Sequence, residues 1–156
     1  MKTAILFQSK YGFTKQIAQI IRETLPGETQ IFNLRETLAP DIQNFQTVII
    51  GSSIYLGTVQ KNIKNWIDKN LPVLLSKKIG LFTCGMETGE KARRQINNAF
   101  PEALRNHAFK IQAFEGGFDF SKMNFFEKAI IRKIARIKES VSKINPAAVK
   151  EFAKGF

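Results

Sequence analysis

The sequence contains very little of several residue types on which common functions depend. It has one cysteine, Cys84, and one histidine, His107, in 156 residues. A single cysteine excludes an intrachain disulfide and agrees with a reducing cytoplasm, and a single histidine excludes a metal site built from several histidines. No apolar run reaches the roughly 18 residues of a membrane-spanning helix, and the first residues do not have the layout of a signal peptide. We therefore expect a cytoplasmic protein without a metal site.

Acidic residues are also scarce. The 13 Asp and Glu residues stand against 24 Lys and Arg residues, which gives a formal net charge of +11. Such an excess favours an acidic partner, which is nucleic acid, an anionic membrane or an acidic protein. The aromatic residues are biased as well, with 14 Phe against two Tyr and one Trp. A core of this size does not require so many phenylalanines.

Apolar strands alternate with amphipathic helices along the chain. Apolar runs of strand length occur at residues 3–8, 29–34, 47–52, 78–84 and 109–114. This alternation predicts an α/β domain over residues 1–156, with a parallel sheet covered on both faces. The first, third and fourth strands are nearly continuously apolar, as central strands are, whereas the second and fifth carry polar residues that suit edges. The pattern predicts five strands in the order 2-1-3-4-5, the flavodoxin-like form of the doubly wound sheet.

Apolar residues at helical spacing predict helices from Phe13 to Leu25, from Val59 to Leu71 and from Ala92 to Phe100. Pro72 is expected to help end the second of these, and Trp66 lies on its apolar stripe, which favours a place in the core. Residues 35–45 are predicted to form a loop with a short helix. In the last helix, Asn145 is the expected N-cap and Pro146 the first helical residue.

The segment at about residues 116–144 does not fit the alternation of strands and helices. Within it, Met123 to Lys138 is predicted to be one helix. Lys122 to Lys138 holds six basic residues and one acid, Glu127, a local net charge of six minus one, or +5. A basic face beside a face of Phe and Ile favours an amphipathic helix at the surface of an anionic membrane; packing of the apolar stripe on the sheet is the alternative. The apolar stripe consists of Phe126, Ile130, Ile134 and Ile137, widened by Ile131, and the basic face of Lys128, Arg132 and Arg136, with Lys133 and Lys138 beside them.

The loop at residues 9–14, Ser-Lys-Tyr-Gly-Phe-Thr, joins the first predicted strand to the first predicted helix. At such a junction the first backbone N–H groups of the helix have no intrahelical partner, and the helix dipole adds partial positive charge. Ser9 and Thr14 add hydroxyl donors, and Gly12 lets the backbone fold closely around a ligand. The combination favours a phosphate cradle, although its order matches neither the Walker loop nor the dinucleotide motif. An ordinary loop with Thr14 as a helix cap is the alternative.

Two further loops are expected at the same edge of the sheet, because ligands bind beyond the carboxyl ends of the strands where strand order reverses. Residues 52–57 offer apolar and aromatic surface for a flat ring, and residues 83–89 offer backbone N–H groups for the edge of that ring. A phosphate and a flat heterocycle describe a mononucleotide. The predicted cofactor-binding residues are Ser9, Lys10, Tyr11, Gly12, Phe13, Thr14, Ser52, Ser53, Ile54, Tyr55, Leu56, Gly57, Thr83, Cys84, Gly85, Met86, Glu87 and Gly89.

These loops resemble those of the flavodoxin-like FMN proteins, in which a hydroxyl, two variable residues, glycine, one variable residue and a hydroxyl form the phosphate loop. Ser9, Gly12 and Thr14 match that pattern. The segment 51–57 resembles the G-[AS]-S-I-x-x-G loop of the menaquinone-dependent protoporphyrinogen IX dehydrogenases, which also carry a long basic and aromatic insertion after the fifth strand. The resemblance implies FMN as cofactor, a porphyrinogen-like substrate and a quinone-like acceptor at the inner face of the cell membrane. It requires no catalytic acid–base pair.

Two residues near the expected flavin have less specific interpretations. Cys84 is expected to be a small buried residue rather than a redox thiol, and Glu87 a solvated carboxylate rather than a proton relay.

Two other functions are compatible with the sequence. One is a flavodoxin that only carries electrons between redox partner proteins, although such carriers are typically acidic. The other is a binding module whose basic face meets nucleic acid or membrane. The chain has no nucleic-acid motif, so we expect no nucleic-acid partner.

Overall fold

The computed structural model describes residues 1–134 and 136–156. Its strands and helices alternate along the chain as predicted, with additional short elements. The strands are β1 (Lys2–Gln8), β2 (Glu28–Asn33), β3 (Thr47–Tyr55), β4 (Thr58–Val59), β5 (Lys78–Gly85), β6 (Lys110–Glu115), β7 (Gly117–Phe118) and β8 (Val141–Ser142). The helices are α1 (Phe13–Thr24), α2 (Lys61–Leu74), α3 (Gly89–Ala99), α4 (Glu102–His107), α5 (Phe125–Ile134) and α6 (Pro146–Ala153), with a 3₁₀ turn at Phe120–Lys122.

Five strands form a parallel sheet in the order β2-β1-β3-β5-β6. These are the five predicted strands in the predicted order 2-1-3-4-5, so the fold prediction is confirmed. The register aligns Gln8 with Ser52 and Ser53 with Cys84. Because all five strands point the same way, the segments that follow β1, β3 and β5 emerge beside one another, as the sequence predicts.

Apolar layers cover both faces of the sheet. One layer joins alternate residues of the central strands to α2 and α4, and the other joins the remaining residues to α1 and α6. Trp66 belongs to the first layer and is 5% exposed, as predicted from its helical stripe. Six residues on the strands predicted to be central are all buried, namely Ile5, Phe7, Ile49, Ile50, Leu81 and Phe82. Asn145 caps α6 as expected, because its Oδ1 accepts hydrogen bonds from the N–H groups of Ala147 and Ala148.

Several predicted boundaries are wrong. Strand β3 runs three residues further than predicted and turns back to pair with β4, so Val59 belongs to a strand and not to the following helix. Helix α2 continues past Pro72 to Leu74, because a proline in the last turn removes only one helical hydrogen bond. Residues 35–45 form turns and no helix.

The two ends of the insertion, at about residues 116 and 144, lie next to each other. β7 pairs with β8 in antiparallel fashion, and the N–H of Lys143 donates to the carbonyl of Gly116 at 2.7 Å. Helix α5 is shorter than the predicted Met123–Lys138: it spans Phe125–Ile134, Ala135 lies outside the described residues, and Arg136 to Lys138 are not helical.

Three of the five residues of the predicted apolar stripe face away from the protein, whereas Ile131 and Ile137 pack on a small apolar cluster. Phe126 is 75% exposed, Ile134 66% and Ile130 39%. The single buried residue of the helix is Ile131, which packs on Tyr11, Phe120 and Met123. The alternative in which the whole stripe packs on the sheet is therefore wrong. Among the described residues, no helix is long and apolar enough to cross a membrane.

Candidate functional site

The loop between β1 and α1 exposes backbone N–H groups at the start of the helix. Gly12 is the N-cap with a φ of +97°, a left-handed conformation that favours glycine. The N–H of Gly12 donates to Ser9 Oγ at 2.8 Å, which closes the loop. Thr14 is fully buried, and its Oγ1 caps no N–H; its polar neighbour is the Cys84 thiol, a weak hydrogen-bond partner, and it has no oxygen or nitrogen partner among the described residues. The interpretation of Thr14 as a helix cap is therefore wrong, and its hydroxyl remains available to a ligand.

The second wall of the site is a hairpin and not the predicted open loop. Ser53, Ile54 and Tyr55 belong to β3, and Tyr55 pairs with Thr58 across a two-residue turn. Leu56 and Gly57 have φ values of 49° and 78°, which is the conformation of a type I′ turn. Tyr55 therefore lies on a short, twisted ribbon that projects beyond the sheet, half-buried against the site.

The third wall combines the end of β5 with the start of the insertion. Cys84 is buried, and this burial raises the pKa of its thiol to about 12. A neutral buried thiol agrees with the structural interpretation of Cys84 and not with a redox role. Gly116 approaches it so closely that a Cβ atom there would lie 2.5 Å from Cys84 Sγ.

The cleft between these walls is lined by most of the predicted residues, namely Ser9, Lys10, Tyr11, Phe13, Thr14, Ser53, Ile54, Tyr55, Cys84, Gly85 and Met86. Sequence reasoning missed Gly116, Gly117 and Phe118, which also line it. A signal for them exists, because two glycines directly follow the carboxyl end of the last sheet strand. That position belongs to the same edge of the sheet as the other loops.

Some predicted residues lie elsewhere. Ser52 and Thr83 are buried within the sheet, and Leu56 and Gly57 form the exposed tip of the hairpin. Glu87 and Gly89 line a neighbouring groove of about 630 Å³ beside β6. The Glu87 carboxylate is exposed and lies 3.7 Å from Lys91 Nζ, which agrees with a solvated group.

Charged and aromatic side chains close the cleft from the side of the insertion. Lys10 Nζ lies 3.4 Å from the centroid of the Tyr55 ring and 3.3 Å from Glu127 Oε1. The rings of Tyr11 and Tyr55 meet edge to face, with centroids 5.9 Å apart. Lys122 Nζ donates to the carbonyl of Tyr11 at 3.1 Å. Sequence reasoning assigned neither Lys122 nor Glu127 to the site, because both are distant from the loop in sequence.

Two pKa values reflect this packing. Burial raises the pKa of the Tyr11 phenol well above its ordinary value, and the neighbouring Tyr55 and Glu127 raise it further. Desolvation raises the pKa of Glu127, but the hydrogen bond from the Asn124 N–H and the ammonium of Lys10 outweigh it, so the net shift is downward. At neutral pH the cleft therefore presents a neutral phenol and an ionised carboxylate.

The donor set of the cleft fits a phosphate and a flat ring. Ser53 Oγ is buried without a hydrogen-bond partner among the described residues, and Thr14 Oγ1 has only the weak Cys84 thiol beside it, whereas buried hydroxyls ordinarily have a good partner. The loop adds the N–H groups at the start of α1. The ring-sized part of the cleft, in contrast, is filled by side chains: the enclosed volume is about 30 Å³, whereas sites for ligands of this size span roughly 300–1,000 Å³.

Two curated relatives share part or most of the chain. The protoporphyrinogen IX dehydrogenase [quinone] of Escherichia coli K12 is 22% identical over 145 residues, which are 88% of this chain and 80% of that protein. A flavodoxin of Clostridium saccharobutylicum is 30% identical over 84 residues, which are 51% of this chain and 52% of that protein. The chain thus matches about half the length of the second relative.

Two solved structures share the fold. Oxidised flavodoxin 1 of Bacillus cereus superimposes with a TM-score of 0.59 at 17% identity and covers 100% of this chain and 99% of that one. A flavoprotein of Lactobacillus acidophilus in complex with FMN gives a TM-score of 0.54 at 17% identity, with 72% of this chain and 92% of that chain covered. FMN, the cofactor that the resemblance implies, is confirmed at the level of the family. Residues 4–145 match the family model of the flavodoxin domain, and the chain therefore belongs to the flavodoxin-domain family.

Proposed function

We propose that the protein is an FMN-dependent oxidoreductase of the protoporphyrinogen IX dehydrogenase type, which passes electrons from a porphyrinogen-like substrate to a quinone-like acceptor. The observation that carries this proposal is the place of the insertion. Phe118, Lys122 and Glu127 all belong to it, and all three lie at the cofactor cleft. A plain electron carrier needs only an exposed ring edge, whereas an enzyme needs protein surface that holds a substrate beside the ring.

Different residues of the cleft would bind different parts of FMN. Backbone N–H groups of the loop 10–14 and the hydroxyls of Ser9 and Thr14 would bind the phosphate. Tyr55 offers the aromatic face on which the ring would lie, and the backbone of Gly85 and Met86 borders its edge. When bound, FMN supplies the hydride and electron chemistry, and the protein supplies binding, orientation and electrostatics.

The second candidate function is that of an electron carrier. The match to the Clostridium flavodoxin favours it, because the identity there is higher over the shared half. The net charge of +11 argues against it, because the carriers that the sequence resembles are acidic. The two functions differ in whether the protein alone turns over a porphyrinogen.

An anaerobic assay distinguishes the two functions. The protein is loaded with FMN, the bound cofactor is identified by mass, and protoporphyrinogen IX is added with a menaquinone analogue. We expect porphyrin to form, with reduction of the quinone, at a rate that depends on both substrates. FMN that is reduced by a ferredoxin-type protein, without any turnover of the porphyrinogen, would instead establish the carrier function.

We also propose that α5 docks the protein on an anionic membrane. Its exposed residues Phe125, Phe126 and Ile134 are between 66% and 78% accessible, and Lys128, Arg132 and Lys133 lie between them. Apolar side chains would enter the interface while the lysines and arginines remain at the headgroups. A quinone acceptor is itself a membrane lipid, so docking would bring the cleft next to it.

A further inference from the structure

The Glu127 carboxylate makes two contacts, one within the insertion and one with the phosphate loop. It is the third residue of α5, and its Oε2 accepts a hydrogen bond from the N–H of Asn124 at 3.2 Å, while its own N–H donates to Asn124 Oδ1 at 2.8 Å. This reciprocal pair is a capping box. Its other oxygen, Oε1, lies 3.3 Å from Lys10 Nζ. One carboxylate therefore starts the helix of the insertion and ties that helix to the phosphate loop.

Lys10 is held away from the expected position of a phosphate. Its ammonium lies 3.4 Å from the centroid of the Tyr55 ring and 5.6 Å from that of the Tyr11 ring. It therefore occupies the aromatic face that a flat ring would need, and only about 30 Å³ of free space remains beside it. A ring can lie on Tyr55 only after this ammonium has moved.

The Lys10 ammonium can leave the Tyr55 ring most easily by exchanging the Glu127 carboxylate for another anion. Lys10 has a long flexible side chain on the loop that carries the N–H groups of the cradle, so a phosphate there is within its reach. A phosphate carries more charge than a carboxylate and is a stronger acceptor for an ammonium. We propose that Glu127 and the phosphate of the cofactor compete for Lys10, so that binding of the cofactor breaks the ionic link between the loop and α5. The inference rests on the binding of FMN by this cleft.

The competition couples the cofactor to the insertion in both directions. Binding of FMN releases the first turn of α5 from Lys10, and anything that draws Glu127 away from Lys10 strengthens binding of FMN by the same factor. The contact of Ile131 with Tyr11, Phe120 and Met123 is apolar and remains in either state. The insertion would thus stay attached at its centre while its first turn becomes more mobile.

The test is a double-mutant cycle read out as the affinity for FMN. Glu127→Gln removes the charge and keeps the capping box, because glutamine also accepts from the Asn124 N–H. We expect this variant to bind FMN about two- to fivefold more tightly, the size of the coupling of a partly exposed ion pair. Lys10→Met should bind FMN more weakly. In the Lys10→Met background, Glu127→Gln should no longer change the affinity.

Glu139→Gln is the matched control, since it removes an exposed carboxylate from the same insertion without contact to Lys10. The proposed competition would be wrong if the control gained as much affinity for FMN as Glu127→Gln. It would also be wrong if Glu127→Gln left the affinity unchanged, or if its gain persisted in the Lys10→Met background. If the parent protein bound no FMN, both the cofactor assignment and the proposed competition would be wrong. If the parent binds FMN but the cycle shows no coupling, only the proposed competition is wrong.

Hydrogen exchange gives a second readout that is independent of affinity. Addition of FMN to the parent protein should accelerate exchange at the first amides of α5, and Glu127→Gln, which keeps the capping box but lacks the tie to Lys10, should show this accelerated rate before FMN is added. Slower exchange of α5 in the parent upon addition of FMN would contradict the proposal.

Discussion

Thr14 is the residue at which stability and binding are expected to oppose each other. Its hydroxyl is fully buried and has no oxygen or nitrogen partner among the described residues; the Cys84 thiol beside it is only a weak partner. An unsatisfied buried hydroxyl costs roughly 1–3 kcal/mol of folding free energy. The sequence offers no other reason for a hydroxyl there, because the structure rules out a capping role.

We therefore predict that Thr14→Val raises the free energy of unfolding by about 1 kcal/mol and weakens FMN binding by roughly tenfold, since one hydrogen bond to a charged group is lost. Urea denaturation of the cofactor-free protein measures the first effect, and titration with FMN the second. Thr24→Val, on the same helix, is the control, because the Thr24 hydroxyl bonds with the Ile20 carbonyl and lies outside the cleft. A Thr14→Val protein that binds FMN as well as the parent would show that the phosphate lies elsewhere.

At the scale of residues, sequence predicts those parts of the cleft that lie on short loops after strands. Ser9 and Tyr55 each follow an apolar run at the edge where ligands bind, so their position depends on strand order alone. Lys122 and Glu127 could not be predicted in the same way. Their contacts with Tyr11 and Lys10 depend on how the insertion folds back, which local patterns do not encode.

Helix α5 shows what periodicity alone can and cannot predict. The spacing of Ile130, Ile131 and Ile134 indicates a helix, and a helix is observed from Phe125 to Ile134. Periodicity does not indicate which side of a narrow apolar stripe meets the protein. Here only Ile131, at the margin of the predicted stripe, is buried, because the helix rests on the small cluster around Tyr11 and not on the sheet.

Two neighbouring isoleucines of α5 provide a matched test. Ile131 is 2% exposed and Ile134 66%. Ile131→Ala should lower the free energy of unfolding by about 2–4 kcal/mol, whereas Ile134→Ala should change it by less than about 0.5 kcal/mol. Chemical denaturation of both variants measures the difference. Equal losses in the two variants would show that the exposed face of α5 is covered by the protein.

At the scale of the whole molecule, the excess of 24 basic over 13 acidic residues is the property that separates this chain from acidic carriers. Sequence alone predicted the order of the sheet, because parallel strands, apolar centres and polar edges follow from composition. It predicted less well where elements end, as the extended β3 and the proline within α2 show. Those ends depend on pairing with β4 and on packing of the last helical turn.

The basic helix predicts binding to anionic vesicles. The protein should bind vesicles that contain phosphatidylglycerol at low salt, since basic residues near an anionic surface gain roughly 1 kcal/mol each. Binding should weaken at 0.5 M salt, where charges are screened. Sedimentation with vesicles measures both effects, and Lys128, Arg132 and Lys133 changed together to Glu should abolish the binding.

The control is the same triple reversal at Lys61, Lys64 and Lys69, exposed lysines on α2. If that variant loses vesicle binding equally, net charge alone explains the attraction and α5 is not the docking element. If the parent protein did not bind these vesicles at low salt, the proposed docking on a membrane would be wrong.

The pairing of β7 with β8 has an evolutionary consequence. Phe118 and Val141 are direct partners, so the two ends of the insertion lie about 5 Å apart. A segment whose ends already meet can be lengthened, shortened or exchanged with little cost in loop closure, and the order of the sheet need not change. A lineage could therefore gain or lose the segment that we propose to face membrane and substrate by changes confined to residues 119–140, while the edge of β1, β3 and β5 that forms the candidate site is inherited intact.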